Sequence, residues 1–176
     1  TSSQYSIACN SATSALHLAC LALELGPTDI LWTSPITFVA SANCALYCGA
    51  KIDFIDIDSS TGLISIDKLR IKLEDASKVG KIPKIIVPVH LAGSSCSMLE
   101  IKALSVKYNF KVIEDASHAI GGKYMGKPVG SCSYSDICIF SFHPVKIITT
   151  GEGGVATTNN KILAERMSYL RSHGII

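Results

Sequence analysis

A single lysine, Lys146, follows an apolar run at Ile137–Phe142 and precedes the glycines Gly151, Gly153 and Gly154. A serine, Ser141, stands five residues before it. An amine that forms a Schiff base needs a fixed backbone and access to its neutral, nucleophilic form. A hydroxyl nearby can hold a phosphate, and glycines let the backbone approach a flat cofactor closely. In isolation Lys146 would more ordinarily be a solvated lysine in a turn. The rest of the chain weighs against that.

Val112 and Ile113 read as the end of a buried strand, with Glu114 and Asp115 at its C-terminal edge. In open parallel α/β sheets that edge is where ligands sit. A carboxylate there can keep a pyridine nitrogen protonated and make the ring an electron sink, the usual acid partner of pyridoxal 5'-phosphate (PLP). Alone, Asp115 would better be a helix N-cap or a loop acid, and His118 a satisfied structural histidine. A third stretch, Cys9–Ala19, leads from small and hydroxyl residues into an apolar helical pattern at Ala15, Leu16, Ala19 and Leu23. Free N–H groups and the helix dipole make such a start an anion site, although most such caps bind nothing.

Specificity comes from the order of the pieces: helix start, aromatic after Ser34-Pro35, acid, serine then lysine, and Gly-Gly. In this order the chain resembles the DegT/DnrJ/StrS-type PLP-dependent aminotransferases of nucleotide-linked keto sugars, essentially from end to end. The stretches that carry the resemblance are NSATSALHLA (10–19), SPITFVASANCALYCGAKIDFIDID (34–58), PVHLAG (88–93), EDASHAIGG (114–122) and FSFHPVKIITTGEGG (140–154). Within the family the wording is closest to the pseudaminic-acid-pathway type, which aminates C4 of a UDP-linked 4-keto-6-deoxy-N-acetyl sugar.

The resemblance implies roles at matched positions. Lys146 matches the Schiff-base lysine and Asp115 the acid on the pyridine nitrogen. His118 matches a Gln-or-His position holding the ring near its phenolic oxygen. Ser141 matches the hydroxyl on the phosphate, and Ala12 with Thr13 the Gly-Thr pair that completes the cradle. Phe38 matches the aromatic stacked on the cofactor face. Alanine at 12 departs from the glycine of many relatives, but it keeps the N–H that the cradle uses. The resemblance also implies an amino-acid donor, glutamate, and a homodimer with its site at the two-fold interface. A sugar 3-dehydratase branch carries histidine where Lys146 stands, so Lys146 disfavours it. An aminotransferase for another nucleotide-linked keto sugar and a non-catalytic relic of the same fold remain as alternatives.

At 176 residues the chain falls in the single-domain range. Hydrophobic residues make up 48% and charged ones 17%, which excludes a disordered segment or a nucleic-acid tail. The net charge of +2 comes without a basic cluster, giving no support for nucleic-acid binding. No apolar run reaches the roughly 18 residues of a membrane helix, and no charged-then-apolar leader is visible. The seven cysteines are odd in number and lack metal-ligand spacing, which fits a reducing cytoplasm rather than a disulfide framework and predicts no metal site. Cys44 and Cys48, four apart, are expected to share a helix face as small buried side chains.

Strands are predicted at Tyr5–Cys9, Ile30–Thr33, Lys51–Ile57, Lys84–Val89, Lys111–Glu114, Ile137–Phe142 and Gly154–Thr158. Helices are predicted at Ala12–Leu25, Thr37–Cys48, Ile66–Ser77, Met98–Tyr108 and Asn160–His173, with a hairpin at Gly122–Gly130. This alternation argues for an α/β fold, a mostly parallel sheet with helices on both faces. With the resemblance it implies the large domain of a fold-type I PLP-dependent transferase. Because members of the family are much longer, residues 1–176 are expected to be a fragment lacking the N-terminal segment and the C-terminal small domain.

Overall fold

A computed structural model describes residues 1–175. Its strands are β1 (Tyr5–Cys9), β2 (Ile30–Thr33), β3 (Lys51–Phe54), β4 (Ile85–Val87), β5 (Lys111–Asp115), β6 (Lys123–Tyr124), β7 (Lys127–Pro128), β8 (Ile137–Ser141) and β9 (Gly154–Thr158). Seven of them form one sheet in the order β1-β9-β8-β5-β4-β2-β3, and β6 pairs with β7 as the expected hairpin. Only β9 runs against its neighbours; all other pairs in the large sheet are parallel.

Helices cover both faces, as the alternation predicts. The pleat sends successive side chains to opposite sides. Leu31, Ile85, Val87, Ile113 and Ile139 pack under α1 (Ala12–Ala22), α2 (Ala40–Tyr47) and α5 (Lys161–Arg171). Trp32, Ile86 and Val112 face α3 (Ile66–Lys78) and α4 (Met98–Tyr108). The central strands are therefore apolar on both sides, the pattern of a doubly covered parallel sheet.

Several boundaries differ from the sequence-based ones, each for a local reason. The first helix ends at Ala22 rather than Leu25, because Glu24 takes a left-handed φ of 59° and Leu25 N–H turns back to the Cys20 carbonyl. The helix expected from Thr37 begins at Ala40: Ser41 and Ala42 donate to the carbonyls of Phe38 and Val39, so the entry is a tighter i→i+3 turn. The fourth strand stops at Val87 because Pro88 has no N–H for the ladder. In α5, Asn160 is the cap and not the first helical residue, its side chain accepting from Ile162 and Leu163 N–H. All seven cysteines are free thiols, but Cys48, at the end of α2, is half-buried rather than buried.

Candidate active site

Every sequence-predicted site residue lies on one cavity of about 250 Å³ at the C-terminal edge of the sheet. Ala12 and Thr13 open α1, just after β1, and Phe38 comes from the segment after β2. Asp115 ends β5, with His118 in the following turn; Ser141 ends β8, and Lys146 sits in the loop beyond it. Parallel strands deliver their ends to one edge, so residues far apart in sequence converge there. Because β9 is reversed, its first residue, Gly154, returns to the same edge.

The start of α1 is pressed onto that edge. Ser11 is the N-cap, its hydroxyl accepting Ser14 N–H at 3.1 Å. The N–H groups of Ala12 and Thr13, in the first turn and on the cavity lining, have no intrahelical acceptor, a setting that suits an anion. Gly154 pairs with Cys9 on one side and Ser141 on the other. A Cβ on Gly154 would overlap the Ser11 carbonyl and the Ala12 nitrogen, so only glycine lets helix start and sheet approach this closely. Ser141 Oγ accepts the His143 N–H at 3.4 Å and keeps its own proton for another acceptor.

Asp115 is neither an N-cap nor a solvated loop acid. It is buried, and its carboxylate takes three donors: Ser41 hydroxyl on Oδ2 at 2.6 Å, and Ser117 hydroxyl and N–H on Oδ1 at 2.6 and 3.2 Å. A carboxylate offers about four acceptor positions, so one remains for an incoming N–H. Ser117 was legible as the residue two beyond an Asp, the spacing of an Asx turn. Ser41 was missed; its only signal was a small hydroxyl in the apolar pattern of α2.

His118 Nδ1 accepts the Ala92 N–H at 3.2 Å, from a short 3-10 turn at Leu91–Gly93 that the sequence reading left out. Burial, and then the Lys146 ammonium, push His118 below the ordinary imidazole value, with Asp115 opposing in part. That turn is itself anchored: His90 Nδ1 accepts Cys96 N–H at 3.2 Å, and Nε2 donates to Glu114 at 2.8 Å, while Ser135 binds the other Glu114 oxygen. The loop bearing Lys146 is closed at its neck, where Phe142 and Gly153 are joined N–H to carbonyl at 2.9 Å and Thr150 N–H returns to Phe142. Lys146 Nζ has no carboxylate partner among the described residues. Phe38 is 69% exposed at the rim.

The donor set fits PLP: first-turn amides and hydroxyls for a phosphate, one open carboxylate position for a ring nitrogen, an imidazole, and an unpaired amine. Among the described residues no group of side chains could hold a metal ion, and no helix is long and apolar enough to cross a membrane.

The whole chain, residues 1–176, matches the model of the DegT/DnrJ/EryC1/StrS aminotransferase family. It is 50% identical over 168 residues to the UDP-4-amino-4,6-dideoxy-N-acetyl-beta-L-altrosamine transaminase of Campylobacter jejuni, covering 95% of this chain and 43% of that protein. The fold is similar to the X-ray structure of the aminotransferase from Psychrobacter cryohalolentis, with a TM-score of 0.90 and 42% identity over 98% of this chain and 42% of that one. It is also similar to Helicobacter pylori PseC, an aminotransferase involved in the biosynthesis of pseudoaminic acid, with a TM-score of 0.87, 34% identity, and coverage of 99% and 45%. The chain thus spans less than half the length of these relatives. The family's aminotransferases are PLP-dependent. By a match over its full length, and with a sheet edge built to suit that cofactor, the chain belongs to the DegT/DnrJ/EryC1/StrS aminotransferase family.

Proposed function

We propose that this chain is the cofactor-binding large domain of a PLP-dependent nucleotide-sugar aminotransferase whose N-terminal segment and small C-terminal domain lie outside it. The observation that carries the reading is the convergence of Lys146, Asp115 and the start of α1 on one cavity. When bound, PLP supplies an electron sink and carries the amine from donor to acceptor. The N–H groups of Ala12 and Thr13, with the hydroxyls of Thr13 and Ser141, bind the phosphate. Asp115 would accept a hydrogen bond from the protonated ring nitrogen at its open carboxylate position. His118 donates from Nε2 toward the phenolic oxygen, and Phe38 covers one ring face. Lys146 Nζ would hold and move the proton that the exchange shifts, an acid–base role that requires the amine to be free during turnover.

The donor in this reading is an amino acid, glutamate, and the acceptor is C4 of a UDP-linked 4-keto-6-deoxy-N-acetylhexose in the making of pseudaminic acid or another surface-glycan sugar. The identity to the Campylobacter transaminase supports that acceptor class. Free thiols throughout fit a cytoplasmic enzyme. Exposed Phe38 and Val145 on the cavity lining, with exposed Ile147 on the same loop, support a homodimer that covers them. The test is incubation of the whole protein with PLP, glutamate and the UDP-linked 4-keto sugar. Formation of 2-oxoglutarate together with the amino sugar is expected. A protein that binds PLP yet aminates only a sugar on another nucleotide would replace the acceptor, and one that binds no PLP would overturn the reading.

A further inference from the structure

Ser41 is fully buried in the first turn of α2, and its hydroxyl has three polar neighbours, of which the Phe38 carbonyl at 3.3 Å is the most distant. The hydroxyl lies 2.6 Å from Asp115 Oδ2 and 2.8 Å from Thr37 Oγ1. A hydroxyl has one proton to give. The carboxylate is the better acceptor and the shorter contact, so Ser41 donates to Asp115 and Thr37 donates to Ser41. The polarity of this chain is therefore set: Thr37, then Ser41, then the acid. Thr37 is the residue immediately before Phe38, on the segment that forms the cavity rim.

We infer that Ser41 is a positioning residue, which clamps the Asp115 carboxylate and, through Thr37, ties it to the segment bearing Phe38. The group facing the cofactor nitrogen and the group over the ring face are then set together. With Ser117 holding Oδ1, the Ser41 hydroxyl on Oδ2 decides which way the one remaining acceptor position points. Losing it would let the carboxylate rotate about its Cβ–Cγ bond and would uncouple the rim. The inference rests on the reading of the cavity as a PLP site.

The experiment uses the whole protein and variants Ser41→Ala, Ser41→Thr, Thr37→Val and the double Ser41→Ala/Thr37→Val. PLP is added to the cofactor-free proteins, and its dissociation constant and bound absorbance maximum are measured alongside melting temperature. A hydrogen bond to a charged group is worth enough that Ser41→Ala is expected to weaken PLP about ten- to hundredfold and shift the absorbance maximum. Ser41→Thr, which restores the hydroxyl, is expected to recover both readouts. Thr37→Val is expected to weaken PLP a few-fold in the wild-type background and to add nothing to Ser41→Ala, because the relay is then already broken. A merely structural serine would lower the melting temperature without moving the absorbance maximum, and that result overturns the inference. So does wild-type affinity in Ser41→Ala. If wild-type protein shows no bound band, the PLP reading itself falls and the inference falls with it; a normal wild-type band beside unmoved variants removes the inference alone.

Discussion

The backbone N–H of Ala92 donates to Nδ1 of His118 at 3.2 Å, across 26 residues of sequence. An imidazole nitrogen that accepts a hydrogen bond carries no proton, so neutral His118 holds its proton on Nε2. That leaves Nε2–H as a donor. Nuclear magnetic resonance of the ring nitrogens in the whole protein is expected to report the Nε2–H tautomer. The titration midpoint should lie below the ordinary value of about 6.5, since burial and the Lys146 ammonium both disfavour the charged ring. The native state then binds this proton less readily than the unfolded chain. Stability contributed by His118 is therefore present above about pH 6.5 and is lost as pH falls from there toward the depressed native value. A midpoint above the ordinary value, or the Nδ1–H tautomer, contradicts the geometry.

Lys146 is the only lysine between Lys127 and Lys161, and it is the lysine on the cavity. Borohydride reduction of PLP-loaded protein should attach the cofactor to Lys146, read by peptide mass spectrometry. Lys123 and Lys127 lie on the β6–β7 hairpin, which contributes nothing to the cavity lining. A label there would sink the assignment. Lys146→Ala should lower transamination by about 100- to 10,000-fold, the range of a lost acid–base group.

Asp115→Asn keeps the size of the side chain but replaces one acceptor oxygen by a donor NH2. The Ser41 and Ser117 hydroxyls can rotate to suit an amide, so the variant should melt cooperatively, within a few degrees of wild type. It should nevertheless lose transamination, because an amide cannot stabilise a protonated ring nitrogen as a carboxylate does. Near-normal turnover in the whole protein would remove Asp115 from its role.

Gly154→Ala places a methyl group against the Ser11 carbonyl and the Ala12 nitrogen. Overpacking of this kind costs about 1–3 kcal/mol. The backbone that must yield is the start of α1, so phosphate binding should suffer along with stability. PLP affinity and melting temperature are expected to fall together, whereas a change confined to melting temperature would mean that the α1 amides do not hold the cofactor.

Assembly is testable by sedimentation. The rim residues Phe38 and Val145, 69% and 78% exposed, are large apolar side chains beside the cavity. A two-fold pairing would cover such a surface on both copies. The whole protein should sediment as a homodimer and bind PLP only in that state, and this chain alone should bind it weakly or aggregate. A monomer with stoichiometric PLP and full activity at low concentration would rule the pairing out.

Much of this protein is legible in local pattern. The alternation of apolar strands with helical periods specified a mostly parallel sheet covered on both faces. The small and hydroxyl residues before Ala15 marked a helix start, whereas Lys146, Asp115 and Ser141 read singly as ordinary residues and stood out only through the order of the short stretches along the chain. The elements rest on contacts within a few residues: helix periodicity, caps, turns and the strand pleat. Tertiary structure decided how those residues are held. Ser41 reaches Asp115 across 74 residues because α2, packed on α1, β2 and β3, brings its first turn to the end of β5. Gly154 must be glycine because β9 runs antiparallel between β1 and β8 and brings the start of α1 against its backbone. Phe38, which its neighbours suggested would lie in a helix, stands outside α2 at the rim because the entry turn is tighter than a helix. A hydrogen bond or a backbone overlap is decided by differences of tenths of an ångström, and strand register and helix docking set those distances, not the identity of adjacent residues.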